Sequence, residues 1–179
     1  MLSGGQAEMG FTLPACVGAS VAKGEVIGIV GDGSFQMNIQ ELQTIVHHKL
    51  PIKLFVWNNE GYLSIRNTQK KFFDGNFIGC DPETGDISFP FLEKIADAYG
   101  IKYFKCDTKN LNKIMDDVLA FNGPVLCEVL CLKNQDILTV SSVEKDGVMV
   151  SRPLEDMYPF LPREEFLREM VVLPMGSSR

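Results

Sequence analysis

Short apolar runs alternate with stretches of helical period along most of the chain. Residues 25–30 (Glu-Val-Ile-Gly-Ile-Val) are almost wholly apolar, the pattern of a strand buried on both faces. Residues 52–57, 101–106 and 125–132 are the other predicted strands. Between the runs the spacing predicts helices over 10–22, 39–48, 91–99 and from Asn110 to about Phe121. Pro14 is tolerable only in the first turn of the first of these. Asn38 is the expected N-cap of the second, and Glu41 three residues on completes a capping-box pattern. Pro51 ends that helical region. Pro90 at the first helical position and Gly100 past the end frame the third. This βαβαβ order predicts an α/β fold, a doubly wound parallel sheet with helices on both faces.

Two stretches escape the alternation. Residues 60–90 are polar and aromatic without a clear period. Residues 133–179 are punctuated by proline, with one helix predicted near 163–170. The expected organisation is one domain over 1–132, with 133–179 as a C-terminal tail packed on it.

The whole-chain properties exclude several classes. A length of 179 residues suits one domain with a real core. A net charge of −6 and no long basic run argue against a nucleic-acid partner. No apolar run approaches the roughly 20 residues that span a bilayer, so no membrane partner is expected. The opening Met-Leu-Ser-Gly-Gly lacks the basic and apolar regions of a secretory signal. The five cysteines show no Cys-x-x-Cys pair, which predicts reduced thiols in a cytoplasmic protein. Cys127 and Cys131, four apart in the last strand-like run, are expected to share a face as small core residues. His47 and His48 fall at the C-terminal end of a predicted helix, where a structural role is expected.

The candidate chemistry sits at two strand ends. Gly31-Asp32-Gly33-Ser34 follows the first strand, and 24 residues separate Gly33 from Asn58-Asn59 at the end of the second. In open parallel sheets, ligands bind beyond the carboxyl ends of the strands. If the two strands are neighbours, Asp32 and Asn59 reach one crevice. A carboxylate and an amide oxygen are hard ligands, suited to Mg²⁺ or Ca²⁺ rather than zinc. A carbonyl from Glu60-Gly61 is a candidate third ligand. The backbone N–H groups of Gly33 and Ser34 open the next helix and face a possible anion. Gly31 and Gly33 permit close approach of backbone and phosphate. The third glycine of a dinucleotide fingerprint is absent, its place taken by Gln36, and no P-loop lysine follows.

These residues carry a resemblance. Gly31-Asp32-Gly33, 24 residues and Asn58-Asn59 match the thiamine-diphosphate motif of thiamine-dependent enzymes. Residues 5–15, 31–44 and 58–62 resemble the C-terminal cofactor domain of the acetolactate synthase group, and the likeness covers about residues 4–132. It implies a thiamine-diphosphate-binding fold, with Mg²⁺ held by Asp32, Asn59 and the Gly61 carbonyl and bridging to the diphosphate. It implies that Gly31, Gly33 and Ser34 lie at the diphosphate, and that Tyr62 and Leu63 line the same pocket. Met9 matches the bulky residue that props the cofactor in its bent form. Without the resemblance it reads as a core methionine. The Ala7 carbonyl would accept from the aminopyrimidine. The implied activity is decarboxylation of a pyruvate-like 2-oxo acid with carboligation, a transferase or lyase reaction, in a homo-oligomer such as a dimer.

The chain departs from that family at three points. Thr68 stands where acetolactate synthases typically carry a tryptophan that helps select the acceptor. Ile65 stands where related pyruvate decarboxylases carry an acid that protonates the intermediate. An apolar residue cannot transfer a proton, which favours ligation over release of free aldehyde. Arg66 and Gln69 are candidates for the substrate carboxylate, with a solvated polar face as the other reading. The family's activating glutamate lies in a separate N-terminal pyrimidine-binding domain, in the same or a partner chain, so no catalytic residue is assigned here and a fragment of a longer polypeptide is expected. A non-catalytic module serving assembly or regulation is the alternative.

Overall fold

The computed structural model describes residues 7–135, 140–172 and 174. They fall into two compact units, the first ending at Asn134 and the second beginning at Gln135.

The first unit is built on four parallel strands, β1 (Val26–Gly31), β2 (Ile52–Asn58), β3 (Lys102–Cys106) and β4 (Val125–Leu130), in the order β1-β2-β4-β3. β1 pairs with β2 from Val26↔Ile52 to Gly31↔Trp57, so Asp32 and Asn59 emerge side by side at the same end of the sheet. Six helices accompany the strands: α1 (Thr12–Lys23), α2 (Asp32–Gln36), α3 (Glu41–His47), α4 (Leu63–Phe72), α5 (Leu92–Tyr99) and α6 (Leu111–Ala120).

Side chains on the two faces of the strands make two cores. Leu13 and Cys16 of α1, Phe35 of α2, Leu42 and Ile45 of α3, and Leu92 and Ala96 of α5 pack on Val30, Leu54, Val56 and Leu126 of the sheet. On the opposite face Val118 of α6, with Ile114 and Met115, covers Phe55, Cys106, Val125 and Cys127. Helices therefore lie on both faces, as the alternation of elements requires. Cover over β1 is incomplete: Ile27 and Ile29 are more than half exposed, as is Trp57. Gly28 faces the first core, where a Cβ would stand 2.5 Å from the Cys16 Sγ.

Two charges are buried within the strands. Lys53 of β2 donates to the Gly123 carbonyl at 2.8 Å and to the Phe121 carbonyl, tying the α6–β4 turn to the middle of the sheet. Glu128 of β4 accepts from Asn58 and Tyr103 and pairs with Lys105 at 3.3 Å. Each satisfies the requirement that a buried charge be paired or hydrogen-bonded.

Several boundaries differ from expectation. β4 ends at Leu130, so Cys131 is exposed and does not share the buried face of Cys127. α3 is capped at Gln40, not Asn38, and no side chain caps it. Asn38 instead donates to the Gly10 carbonyl at 2.8 Å, a longer-range use that the capping pattern concealed. Pro90 lies two positions before Leu92 rather than at the first helical position. The unassigned stretch after Asn59 contains α4, which has no apolar stripe: its buried residue is Arg66. A helix without a hydrophobic period leaves no signal of that kind in the sequence.

The second unit contains the antiparallel hairpin β5 (Ser142–Lys145) and β6 (Val148–Ser151) and the short helix α7 (Arg163–Glu169). Asp146-Gly147 forms the hairpin turn, with positive φ at both residues, the commonest short hairpin signal. Asp156 is buried and accepts from Arg152 at 2.5 Å and Arg163 at 2.7 and 2.9 Å. Hydrogen bonds from Arg163 lead in holding its carboxyl below the usual carboxylate range. Among the described residues no helix is long and apolar enough to cross a membrane.

Candidate metal and diphosphate site

Three separate pieces of chain meet beyond the ends of β1 and β2. The first is the β1–α2 junction. Gly31 is the N-cap of α2 and Asp32 its first residue, so the helix starts on the acid itself. Asp32 is only 4% exposed. Its carboxylate accepts from the Gly33 amide at 2.7 Å and from the Gly61 amide at 3.2 Å. Burial raises its pKa above the ordinary aspartate value, against the amides of Gly33, Gly61, Glu60 and Asn59, which lower it. A carboxylate ringed by amides but still raised carries a desolvation cost that a cation would offset.

The second piece is the turn after β2. Asn58 closes that strand, donating to Glu128 and accepting from the Glu60 amide at 3.0 Å. Asn58 is therefore a strut of the turn, and Asn59, partly exposed, is left beside the Asp32 carboxylate. Glu60 sits in the left-handed region at φ 56°. Gly61 is packed so closely that a Cβ would fall 2.5 Å from the Cys80 carbonyl oxygen. Tyr62 lies over Gly33, where a Cβ would come within 2.1 Å of its ring, and its edge meets Phe89 at 5.7 Å between centroids. Leu63 begins α4 and is partly exposed.

The third piece precedes α1. The Gly10 amide donates to Ser34 Oγ at 2.9 Å, and the Gly10 carbonyl accepts from Asn38. These bonds tie Gly10 to α2 and to the residue two places beyond its end. Met9 is 43% exposed there, not a core residue. Ala7 has a φ of 50°, unusual for a residue with a Cβ.

The Gly33 amide is occupied by Asp32, so the anion-facing role expected of it is shared with that carboxylate. α2 has five residues, too few for a large helix dipole. Among the described residues no three His, Cys, Asp or Glu side chains cluster to hold a metal ion. One carboxylate, one amide oxygen and a turn carbonyl make an incomplete set of hard ligands. That set fits Mg²⁺, which is usually bound by one or two carboxylates with phosphate oxygens and water completing an octahedron.

The residues of α4 divide. Ile65 is exposed, and Thr68 bonds its own helix through the Ser64 carbonyl. Gln69 both donates to and accepts from the backbone of Ile78, so its amide staples a loop. Arg66 is neither on a solvated face nor free for a substrate: it is 6% exposed and paired with Asp81 at 2.8 Å. His47 and His48 are exposed, their rings in edge contact at the C-terminal end of α3. That end leads into the start of β2, opposite the site.

A family described as thiamine pyrophosphate enzyme, C-terminal TPP binding domain, matches residues 1–129. The acetolactate synthase large subunit of Porphyra purpurea is 37% identical over 137 residues, 75% of this chain and 23% of that protein. The chloroplastic acetolactate synthase of Arabidopsis thaliana is 38% identical over 76% of this chain and 21% of its own length. The mitochondrial enzyme of Schizosaccharomyces pombe is 34% identical over 95% of this chain and 22% of its own. Among solved structures, the thiamine diphosphate-dependent 4-hydroxybenzoylformate decarboxylase of Rhodococcus jostii RHA1 superposes with a TM-score of 0.61 at 30% identity, covering 72% of this chain and 24% of that one. The chain spans under a quarter of the length of these relatives. It belongs to the thiamine pyrophosphate enzymes and comprises their C-terminal TPP-binding domain, of the acetolactate synthase-like kind.

Proposed function

We propose that Asp32, Asn59 and the Gly61 carbonyl hold Mg²⁺ against the diphosphate of thiamine diphosphate. The observation that carries this reading is the buried Asp32 carboxylate, raised in pKa and ringed by the amides of the 59–61 turn. Gly31, Gly33 and Ser34 line the diphosphate, with Tyr62 and Leu63 closing the same pocket. Met9, exposed and tethered beside α2, props the cofactor, and the Ala7 carbonyl accepts from its aminopyrimidine. Bound there, thiamine diphosphate supplies the carbanion chemistry through which a 2-oxo acid loses carbon dioxide and its acyl unit passes to an acceptor. The protein's part is to orient the cofactor and neutralise its phosphate charge.

The substrate class in this reading is a pyruvate-like 2-oxo acid. Ile65 stands exposed on α4 with no proton to give, which supports carboligation over release of free aldehyde. The activating glutamate comes from an N-terminal pyrimidine-binding domain, in the same or a partner chain, within a cytoplasmic homo-oligomer such as a dimer. The half-exposed Ile27, Ile29 and Trp57 support further polypeptide on this sheet, because parallel sheets are normally covered on both faces. A purely structural module leaves the desolvated Asp32 unexplained.

The test is to supply Mg²⁺, thiamine diphosphate and a panel of 2-oxo acids to the intact protein and follow their consumption and products. The expected result is pyruvate loss with a 2-hydroxy ketone as product. Accumulation of free aldehyde would overturn the assignment of Ile65. Cofactor uptake without turnover of any 2-oxo acid would support the non-catalytic module instead.

A further inference from the structure

Gly61 is held from two sides. In front, its amide donates to Asp32 at 3.2 Å. Behind it a Cβ would lie 2.5 Å from the Cys80 carbonyl oxygen, 2.8 Å from Arg66 Nη2 and 3.0 Å from the Asp81 Cβ. The backing is therefore a buried ion pair, Arg66 Nη2 to Asp81 Oδ2 at 2.8 Å, with both side chains no more than 7% exposed. The pair is itself tied down. Asp81 Oδ1 accepts from the Thr84 amide at 3.0 Å, and its carbonyl accepts from the Thr84 hydroxyl at 2.7 Å. Arg66 Nη1 donates to the Lys133 carbonyl at 2.7 Å and to Asn134 Oδ1 at 2.8 Å. Next to Gly61, the Tyr62 amide donates to the Cys80 carbonyl at 2.8 Å.

The arrangement is costly for mere anchorage. A buried ion pair repays its desolvation only with good geometry and further hydrogen bonds, and an apolar pair of similar volume often serves stability as well or better. Here Arg66 Nε makes no hydrogen bond and Nη2 meets Asp81 as a charge contact alone, so the guanidinium is incompletely satisfied. What these two side chains provide that apolar ones would not is a set of directed hydrogen bonds, from Arg66 Nη1 and to Asp81 Oδ1. It joins the 80–84 turn, residues 133–134 and the first turn of α4 immediately behind Gly61.

We propose that Arg66 and Asp81 are positioning residues for the metal site: their pairing sets the turn that presents the Gly61 carbonyl to Mg²⁺. This rests on the function proposed above. The fixing of a ligand by groups behind it commonly governs metal affinity by 10–100-fold.

Calorimetric titration of Mg²⁺ into the protein with thiamine diphosphate present, well below the melting temperature, tests the pairing. Three proteins are compared: the wild type, the near-isosteric Asp81→Asn, and the apolar pair Arg66→Met with Asp81→Leu. Asp81→Asn is expected to weaken Mg²⁺ binding about 10-fold or more. The apolar pair is expected to melt, without ligands, within a few degrees of the wild type and still bind Mg²⁺ at least about 10-fold more weakly. That split separates positioning from stability. Wild-type Mg²⁺ affinity in a folded apolar pair would overturn the proposal. If that variant does not fold, unchanged affinity in Asp81→Asn overturns it. A wild type that takes up neither Mg²⁺ nor cofactor contradicts the proposed function itself, a result readily told apart from the other two.

Discussion

Asp32→Ala is expected to abolish stabilisation of the protein by Mg²⁺ with thiamine diphosphate. A ligand held at 100 times its Kd stabilises a wild-type site by about 2.7 kcal/mol. The variant should gain nothing measurable at the same concentrations in a thermal melt. Without ligands, its stability should lose the pH dependence that Asp32 gives the wild type. The reason is the sign of the Asp32 shift. Its folded-state pKa is raised, by burial above all, so the folded chain binds this proton more tightly than the unfolded chain does. Stability of the ion-free protein therefore falls as pH rises from the ordinary aspartate range, about 3.9, through the raised folded value. At the proposed site Mg²⁺ would need the ionised carboxylate and would remove that cost. Its affinity should drop as pH falls through the same raised value, and Asp32→Asn should lose this pH dependence. A variant that is stabilised as well as the wild type would mean that Asp32 does not hold the ion.

Phe35→Ala should destabilise the protein by about 3–5 kcal/mol, the usual cost of emptying a buried aromatic site. That is a large share of a typical domain stability of about 5–15 kcal/mol. Phe35 is 0% exposed and packs in the core shared by α1, α3 and α5. α2 is a five-residue helix with no side-chain cap, and this ring is its buried apolar anchor. Because Gly31, Asp32, Gly33 and Ser34 lie on the same few residues, the cavity should loosen the site along with the fold. Urea unfolding gives the stability loss, and Mg²⁺ titration of the folded fraction gives the loss of affinity. Phe35→Leu, which refills part of the space, should cost about 1–2 kcal/mol and retain most binding.

The parts of this structure that were legible in the sequence are those that use periodicity or turn chemistry. β1, β2 and β4 are mainly apolar runs, and Gly100 ends α5 in the left-handed conformation, at φ 68°, that glycine accepts. The Asp32 and Asn59 spacing was readable because β1 and β2 are adjacent and in register. Features held together by charge were not readable. α4 buries Arg66 instead of an apolar stripe, and the partner that explains this, Asp81, lies in a different loop. Lys53 and Glu128 were visible as lone charges within apolar strand runs. Such charges must find partners, yet those partners, the Phe121 and Gly123 carbonyls and Asn58, come from distant segments. Asn38 illustrates the same limit: a local capping pattern was present, but the side chain bonds Gly10 across 28 positions. The hairpin turn Asp146-Gly147 was a local signal and could have been read.

In the proposed site Asp32, Asn59 and the Gly61 carbonyl together hold a divalent ion against a diphosphate. Crystals of the protein grown with Mn²⁺ and thiamine diphosphate, measured for anomalous scattering from manganese, test it most directly. The expected map shows one strong peak within coordination distance of the Asp32 carboxylate, the Asn59 side-chain oxygen and the Gly61 carbonyl, with diphosphate oxygens completing the shell. A peak held by other residues, or a bound diphosphate with no ion beside Asp32, would contradict the account.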